Sequence, residues 1–250
     1  MPRLPPDARV RGACVRQTDR VTLWEAWEDR ADAWTEWARR PGHDGFWDGT
    51  WPELSAVIPT QPRVVIEIGC GEGRVGRQLL EHGHRVVGVE RSPTLALAAR
   101  RHPTHLAVLQ ADAARLPIQD CCADVAVACM SLQDVDDLGA VVEEAWRVLR
   151  PDGCLCVALV HPFATAQDPS TIHTQLPMVT APYLNERRFE DHVERDGLAM
   201  TFVSMHRPLS RYLSAFFSAG FVVEALREFG AKPIPWLMVM RLKRLASRPD

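Results

Sequence analysis

The stretch Val64-Val65-Ile66-Glu67-Ile68-Gly69-Cys70-Gly71-Glu72-Gly73 decides how the rest of this chain is read. Its first half is β-branched and apolar, which suits a buried strand, and its second half places glycine at every other position. Glycines so spaced let the backbone turn tightly and approach a ligand with no Cβ in the way. A helix expected from there to about Glu81 presents its first amides to the same ligand. This order of strand, glycine turn and helix predicts a nucleotide-like ligand at the carboxyl end of the strand.

Working outward, the pattern repeats. Arg85–Val89 reads as a second strand, Ser92–Arg100 as a helix capped by Ser92 with Pro93 in its first turn, and His105–Leu109 as a third strand. Ala123–Met130 is apolar enough for a strand buried on both faces. Asp137–Leu149 follows as a helix ended by Pro151-Asp152-Gly153, and Cys154–Val160 is a fifth strand. Pro208–Ala219 reads as a helix with Gly220 at its end, and Phe221–Phe229 and Trp236–Leu242 as two closing strands. The expected fold is α/β: a doubly wound, Rossmann-like, mostly parallel seven-stranded sheet.

Two segments fall outside that alternation. Trp24, Trp27, Ala31, Trp34 and Trp37 share one face of a helix expected over Leu23–Arg40. Residues 162–207 lack a period until Asp196-Gly197, a hairpin signal between Arg188–Glu194 and Leu198–His206. The expected organisation is a flexible tail over 1–20, an N-terminal helical cap over 21–60 and a cofactor-binding core over 61–161. An inserted substrate lid covers 162–207, and the closing helix and strands of the core cover 208–250.

The glycine turn alone is ambiguous, because Gly71, Gly73 and Gly76 also spell the G-x-G-x-x-G of dinucleotide sites. Three acids favour another ligand. Glu67, at the end of the first strand, would repel a pyrophosphate but suits a ligand carrying an ammonium and a sulfonium. Glu90 closes the second strand, where an acid takes the hydroxyls of a ribose. Asp112 follows the third strand, placed for an adenine amino group.

These residues carry a family resemblance. VVIEIGCGEG (64–73) resembles the first motif of class I S-adenosylmethionine-dependent methyltransferases of the small-molecule type, methyltransferase domain 11-like. VVGVE (86–90) resembles the ribose-binding second motif, and LQADAARLP (109–117) the third. ADVAVACMSLQDVDDLGAVVEEAWRVLRPDGCL (123–155) resembles the group's fourth strand, helix and fifth strand. Glu67 and Glu90 stand where Asp is frequent in the family, a departure that keeps the charge. The resemblance implies S-adenosyl-L-methionine as cofactor and S-adenosyl-L-homocysteine as product. It implies a cofactor site of Glu67, Gly69, Cys70, Gly71, Gly73, Glu90, Arg91, Asp112, Ala113, Ser131 and Leu132.

Methyl transfer to a hydroxyl, amine or aromatic carbon is helped by a base. His161, directly after the fifth strand, is the expected one. His43, Trp47, Tyr183 and His206 are expected at the acceptor, with His173 and His192 as weaker candidates. Asp134, Asp136 and Asp137 follow the fourth strand, but no second acid cluster completes an oxygen shell, so no metal is expected. The tryptophans and residues 162–206 read as packing that also walls a pocket for an apolar or aromatic small molecule.

Composition limits the alternatives. The 250 residues are 46% hydrophobic and 24% charged with net charge −3, so neither disorder nor nucleic-acid binding is expected. No apolar run reaches the roughly 20 residues of a membrane span. The opening MPRLPPDARVR lacks a signal-peptide core, and seven cysteines without a CxxC pair suit reduced thiols, so a cytoplasmic location is expected. Near-absence of lysine (Lys232 and Lys243 alone) suggests a GC-rich source. Specialised metabolism is the expected setting. A nicotinamide-dependent reductase and a non-catalytic cofactor-binding protein remain the alternatives.

Overall fold

A computed structural model describes residues 21–167, 182–230 and 234–246. The elements before the sheet are α1 (Leu23–Glu28), α2 (Ala31–Arg39), a π-helical turn at Phe46–Thr50 and α3 (Trp51–Ser55). The first half of the sheet contains β1 (Val64–Ile68), α4 (Arg74–Glu81), β2 (Arg85–Glu90), α5 (Pro93–Arg100) and β3 (Ala107–Gln110). Then come β4 (Ala123–Cys129), α6 (Leu138–Val148), β5 (Leu149–Val160) and the short α7 (Pro162–Thr165). The chain closes with β6 (Arg187–Arg195), β7 (Leu198–His206), α8 (Leu209–Ala219), β8 (Phe221–Phe229) and β9 (Leu237–Arg244).

The seven-stranded sheet has the order β3-β2-β1-β4-β5-β9-β8. Strands β1 to β5 pair in parallel, and β9 pairs antiparallel with β5 and β8. Alternation along β1 sends Ile66 and Ile68 to the face packed by α6 and α8, and Val65 to the face packed by α3 and α4. Both faces of β4 are covered, which is why its sequence is continuously apolar. The order reverses between β1 and β4, leaving a crevice at their carboxyl ends.

Local signals explain the connections. Ser92 Oγ accepts the Leu95 amide at 3.1 Å to cap α5, and Gly220 ends α8 in the left-handed region at φ 98°. Asp196 and Gly197 both take positive φ, as a two-residue turn between β6 and β7 requires. The single helix expected over Leu23–Arg40 is two, broken at Asp29-Arg30. The fifth strand begins at Leu149 instead of Cys154: Leu149 already pairs with Ala123, and the register shifts before Cys154 pairs with Val125.

The β6–β7 hairpin and α1–α2 form one cap over the crevice. Leu23 and Ala26 bury against Val203, and the Trp27 indole donates to the Val203 carbonyl at 3.1 Å. Glu28 accepts the hydroxyls of Ser92 and Thr94 on α5. The buried Arg207 guanidinium donates to the carbonyls of Leu132, Gln133 and Val135 at 3.2, 3.4 and 2.6 Å, fixing the end of the hairpin to the loop after β4. Among the described residues no helix is long and apolar enough to cross a membrane.

Candidate active site

Under the cap, the crevice opens into a cavity of about 810 Å³, toward the upper end of the roughly 300–1,000 Å³ of small-molecule sites. Its floor is the turn after β1. Gly69 has φ +69°, and a Cβ there would lie 2.6 Å from Ser131 Cβ, so the turn and the loop after β4 can pack this closely only around glycine. Gly71 has φ +55°, and its missing Cβ would point at the Trp34 indole nitrogen 3.3 Å away. The Gly71 amide donates to Glu90 Oε2 at 2.8 Å, and the Ser92 amide to Glu90 Oε1 at 2.8 Å. Glu90 thus ties the turn to the end of β2. Burial raises its pKa, against the pull of these amides.

Glu67 is buried at the cavity wall, and its Oε2 has no hydrogen-bond partner. Burial first, and then the neighbouring Glu72 carboxylate, push its pKa up to about 8, with Arg77 opposing. Glu72 itself is satisfied by Arg39 and Arg77, each at 2.7 Å. A buried acid with one open oxygen is costly unless a ligand completes it, and the Gly76 amide of α4 offsets only part of that cost. Asp112 accepts the Ala114 amide at 2.9 Å and pairs with Arg91 at 3.0 Å, and both side chains line the cavity with Ala113. The guanidinium of Arg91 stacks on Trp24, 4.8 Å from the ring centroid.

These groups fit an S-adenosylmethionine molecule. The open oxygen of Glu67 suits a cationic amino group. Glu90 retains free lone pairs for a ribose diol, since a carboxylate offers about four acceptor positions and two are taken. Of the residues expected at the cofactor, Glu67, Gly69, Cys70, Gly71, Glu90, Arg91, Asp112, Ala113 and Ser131 line the cavity. Gly73 instead starts α4 with φ 89°, and Leu132 is buried in the core against α6.

The acceptor side differs from expectation. His161 does not line the cavity, although Val160 does. Its Nδ1 accepts the Phe163 amide at 3.0 Å, which caps α7 and makes Nε2 the protonated nitrogen, and Nε2 donates to Glu228 Oε1 at 2.8 Å. Burial lowers its pKa. With both nitrogens engaged by groups that do not line the cavity, His161 serves in this structure as the cap of α7. Replacing it with alanine should leave methyl transfer within about twofold and cost about 1–2 kcal/mol of stability from the lost cap and hydrogen bond; thermal melting beside turnover checks this.

The other four acceptor candidates are also placed elsewhere. His43 is buried edge-on against Trp37, its ring 4.1 Å away, and Trp47 is exposed beside Phe46. Tyr183 accepts the Leu209 amide at 3.0 Å, and His206 is held by Thr165 Oγ1 at 2.7 Å and the Tyr183 carbonyl at 2.8 Å. None of the four lines the cavity. His192 is exposed on β6, and His173 lies outside the described residues.

The cap side of the cavity is instead built by Trp27, Trp34 and Trp37 with Phe202, joined edge to face with centroids 5.8 to 6.0 Å apart. Arg74, at the start of α4, lies 4.1 Å over Phe46 and 4.9 Å over Trp34, and its charge is met by Asp44 at 2.6 Å. The tryptophan stripe was visible in the sequence; the Asp44–Arg74 pair and Ser204 were not. The acids after β4 serve separate ends. Asp134 accepts the Ser204 hydroxyl at 2.6 Å, Asp136 the Leu23 amide at 2.9 Å, and Asp137 the Ala140 amide at 3.0 Å as the cap of α6. Among the described residues no group of three His, Cys, Asp or Glu is arranged to hold a metal ion.

Comparison with known proteins agrees with this geometry. Residues 66–157 match the methyltransferase domain family. A malonyl-[acyl-carrier protein] O-methyltransferase of Pectobacterium atrosepticum is 29% identical over 106 residues, 42% of this chain and 42% of that protein, so the match spans less than half of either. An S-adenosylmethionine dependent methyltransferase from Mesorhizobium loti has the same fold, with TM-score 0.62 at 23% identity over 78% of this chain and 97% of that one. So does the 1,6-didemethyltoxoflavin-N1-methyltransferase of Burkholderia thailandensis, solved with 1,6-didemethyltoxoflavin and S-adenosylhomocysteine, with TM-score 0.57 at 18% identity over 97% and 98% of the chains. The glycine turn and the three acids around it fall within the stretch that matches the methyltransferase domain family, and the fold is shared with S-adenosylmethionine-dependent methyltransferases.

Proposed function

We propose that this protein transfers a methyl group from S-adenosylmethionine to a small, largely apolar or aromatic acceptor held under the cap. One observation carries the reading: a single cavity runs from the acids of the glycine turn to the tryptophan wall of α1 and α2. Glu67 would hold the amino end of the cofactor, Glu90 the ribose, and Asp112 with Ala113 the adenine. When bound, the cofactor supplies a methyl group already activated by its sulfonium. The protein's task is then to hold the acceptor in line with that methyl and to exclude water. The edge-to-face aromatic wall serves both ends, because its rings are locked against one another and present apolar surface.

Incubation with methyl-labelled cofactor and a panel of aromatic and apolar hydroxyl, amine and carbon acceptors tests this. Label transfer to any of them, with stoichiometric S-adenosylhomocysteine, supports the reading. Tight binding of S-adenosylhomocysteine with no transfer to any acceptor favours a non-catalytic binding protein. The setting in specialised metabolism is part of the same proposal, supported by the aromatic wall alone.

A further inference from the structure

Asp134 is a cavity acid that makes no ion pair among the described residues. It lies on the one-turn helix Leu132–Asp134 after β4, and among the described residues its hydrogen-bond partner is the Ser204 hydroxyl of β7 at 2.6 Å. The groups facing it are Arg207 behind β7, Glu90 of β2 and Tyr212 of α8. Arg207 does not neutralise it: that guanidinium donates to the carbonyls of Leu132, Gln133 and Val135 and pairs with Glu186 at 3.3 Å. Two further acids of this end are taken. Asp44 pairs with Arg74, and Asp136 caps the start of α1. Asp134 therefore faces a cavity whose cap side is tryptophan and phenylalanine, with Trp27 tied through its indole to Val203, the residue beside Ser204. A carboxyl group that shares a cavity with electron-rich rings attracts a cation that also carries flat apolar surface.

We propose that Asp134, positioned by Ser204, docks a protonated amine of the acceptor, so that the substrates of this site are basic aromatic molecules. The proposal rests on the methyl-transfer reading for the word acceptor, but the docking preference itself is measurable without cofactor. Burial holds the Asp134 carboxyl well above the usual carboxylate range, so its anion gains most where an ammonium pairs with it. The residue acts on specificity: it selects the acceptor and holds it against the aromatic wall.

The test uses three probes of nearly equal shape, tryptamine, indole and indole-3-acetate, titrated into the whole chain with and without saturating S-adenosylhomocysteine. Tryptamine should bind at least about tenfold tighter than either of the others, from a charge-assisted hydrogen bond and cation–π attraction together. Asp134→Asn keeps an oxygen for Ser204 and should abolish that preference while S-adenosylhomocysteine affinity stays within about twofold. Equal binding of the three probes, no binding of any at millimolar concentration, or a preference retained in Asp134→Asn overturns the proposal. Failure of S-adenosylhomocysteine to bind, with the amine preference intact, removes the methyl-transfer reading and leaves the amine site standing.

Discussion

Glu90→Ala lowers affinity for S-adenosylhomocysteine by at least about 100-fold, the loss expected when two hydrogen bonds to a charged group, each worth roughly 1.5–3 kcal/mol, disappear. The cause is double. The carboxylate that would take the ribose diol is removed, and the Gly71 and Ser92 amides, each 2.8 Å from it, lose their shared anchor, so the glycine turn is released from the end of β2. Glu90→Gln separates the two contributions. It can accept from only one of the amides through its carbonyl, and should sit between wild type and alanine in calorimetric titration. Wild-type affinity in Glu90→Ala would remove this residue from the cofactor site.

Glu67→Gln should have opposite effects on stability and on binding. In the folded chain Glu67 has a pKa pushed up to about 8, above the carboxylate range of the unfolded chain. Its neutral form is the one the fold favours, so its contribution to stability is complete below about pH 4.5 and is lost as pH rises to about 8. At neutral pH the isosteric amide removes that penalty. The variant should be more stable by about 2–3 kcal/mol, or roughly 5–10 °C in melting temperature for a chain of this size. It should also lose most of the slope of stability against pH between 5 and 8. Cofactor binding should weaken, because the amide cannot pair with an ammonium. In wild type the same linkage makes S-adenosylhomocysteine binding at pH 7 release protons, up to about one, read as a dependence of the binding heat on the buffer's ionisation enthalpy. A Glu67→Gln variant of unchanged stability that binds as wild type would show that Glu67 is matched by a group inside the protein.

How much of this was legible before folding varies by element. β1 to β5 and the crevice between β1 and β4 follow from the spacing of apolar runs and glycines, because strand period and turn chemistry are local. The tryptophan face of α1 and α2 was readable for the same reason, since the period survives the break at Asp29-Arg30. The break itself was not: it follows where Glu28 reaches Ser92 and Thr94, which lie far along the chain. His161 shows the limit most clearly. Its position after the fifth strand places it at the right end of the sheet, but its ring direction is set by the Phe163 amide and by Glu228 arriving on β8. Likewise, three acids within four residues after β4 look alike in sequence. Their partners Ser204, Leu23 and Ala140 come from three different elements, and only those partners distinguish the acid tied to the hairpin from the two at helix starts.

Calorimetric titration of the whole chain with S-adenosylhomocysteine, beside NADH under the same conditions, decides which cofactor the glycine turn holds. One S-adenosylhomocysteine should bind per chain, saturably, and NADH should not, since the buried Glu67 carboxyl is completed by an ammonium and is driven further from ionisation by a pyrophosphate. Binding of NADH alone, or of neither ligand, would contradict this.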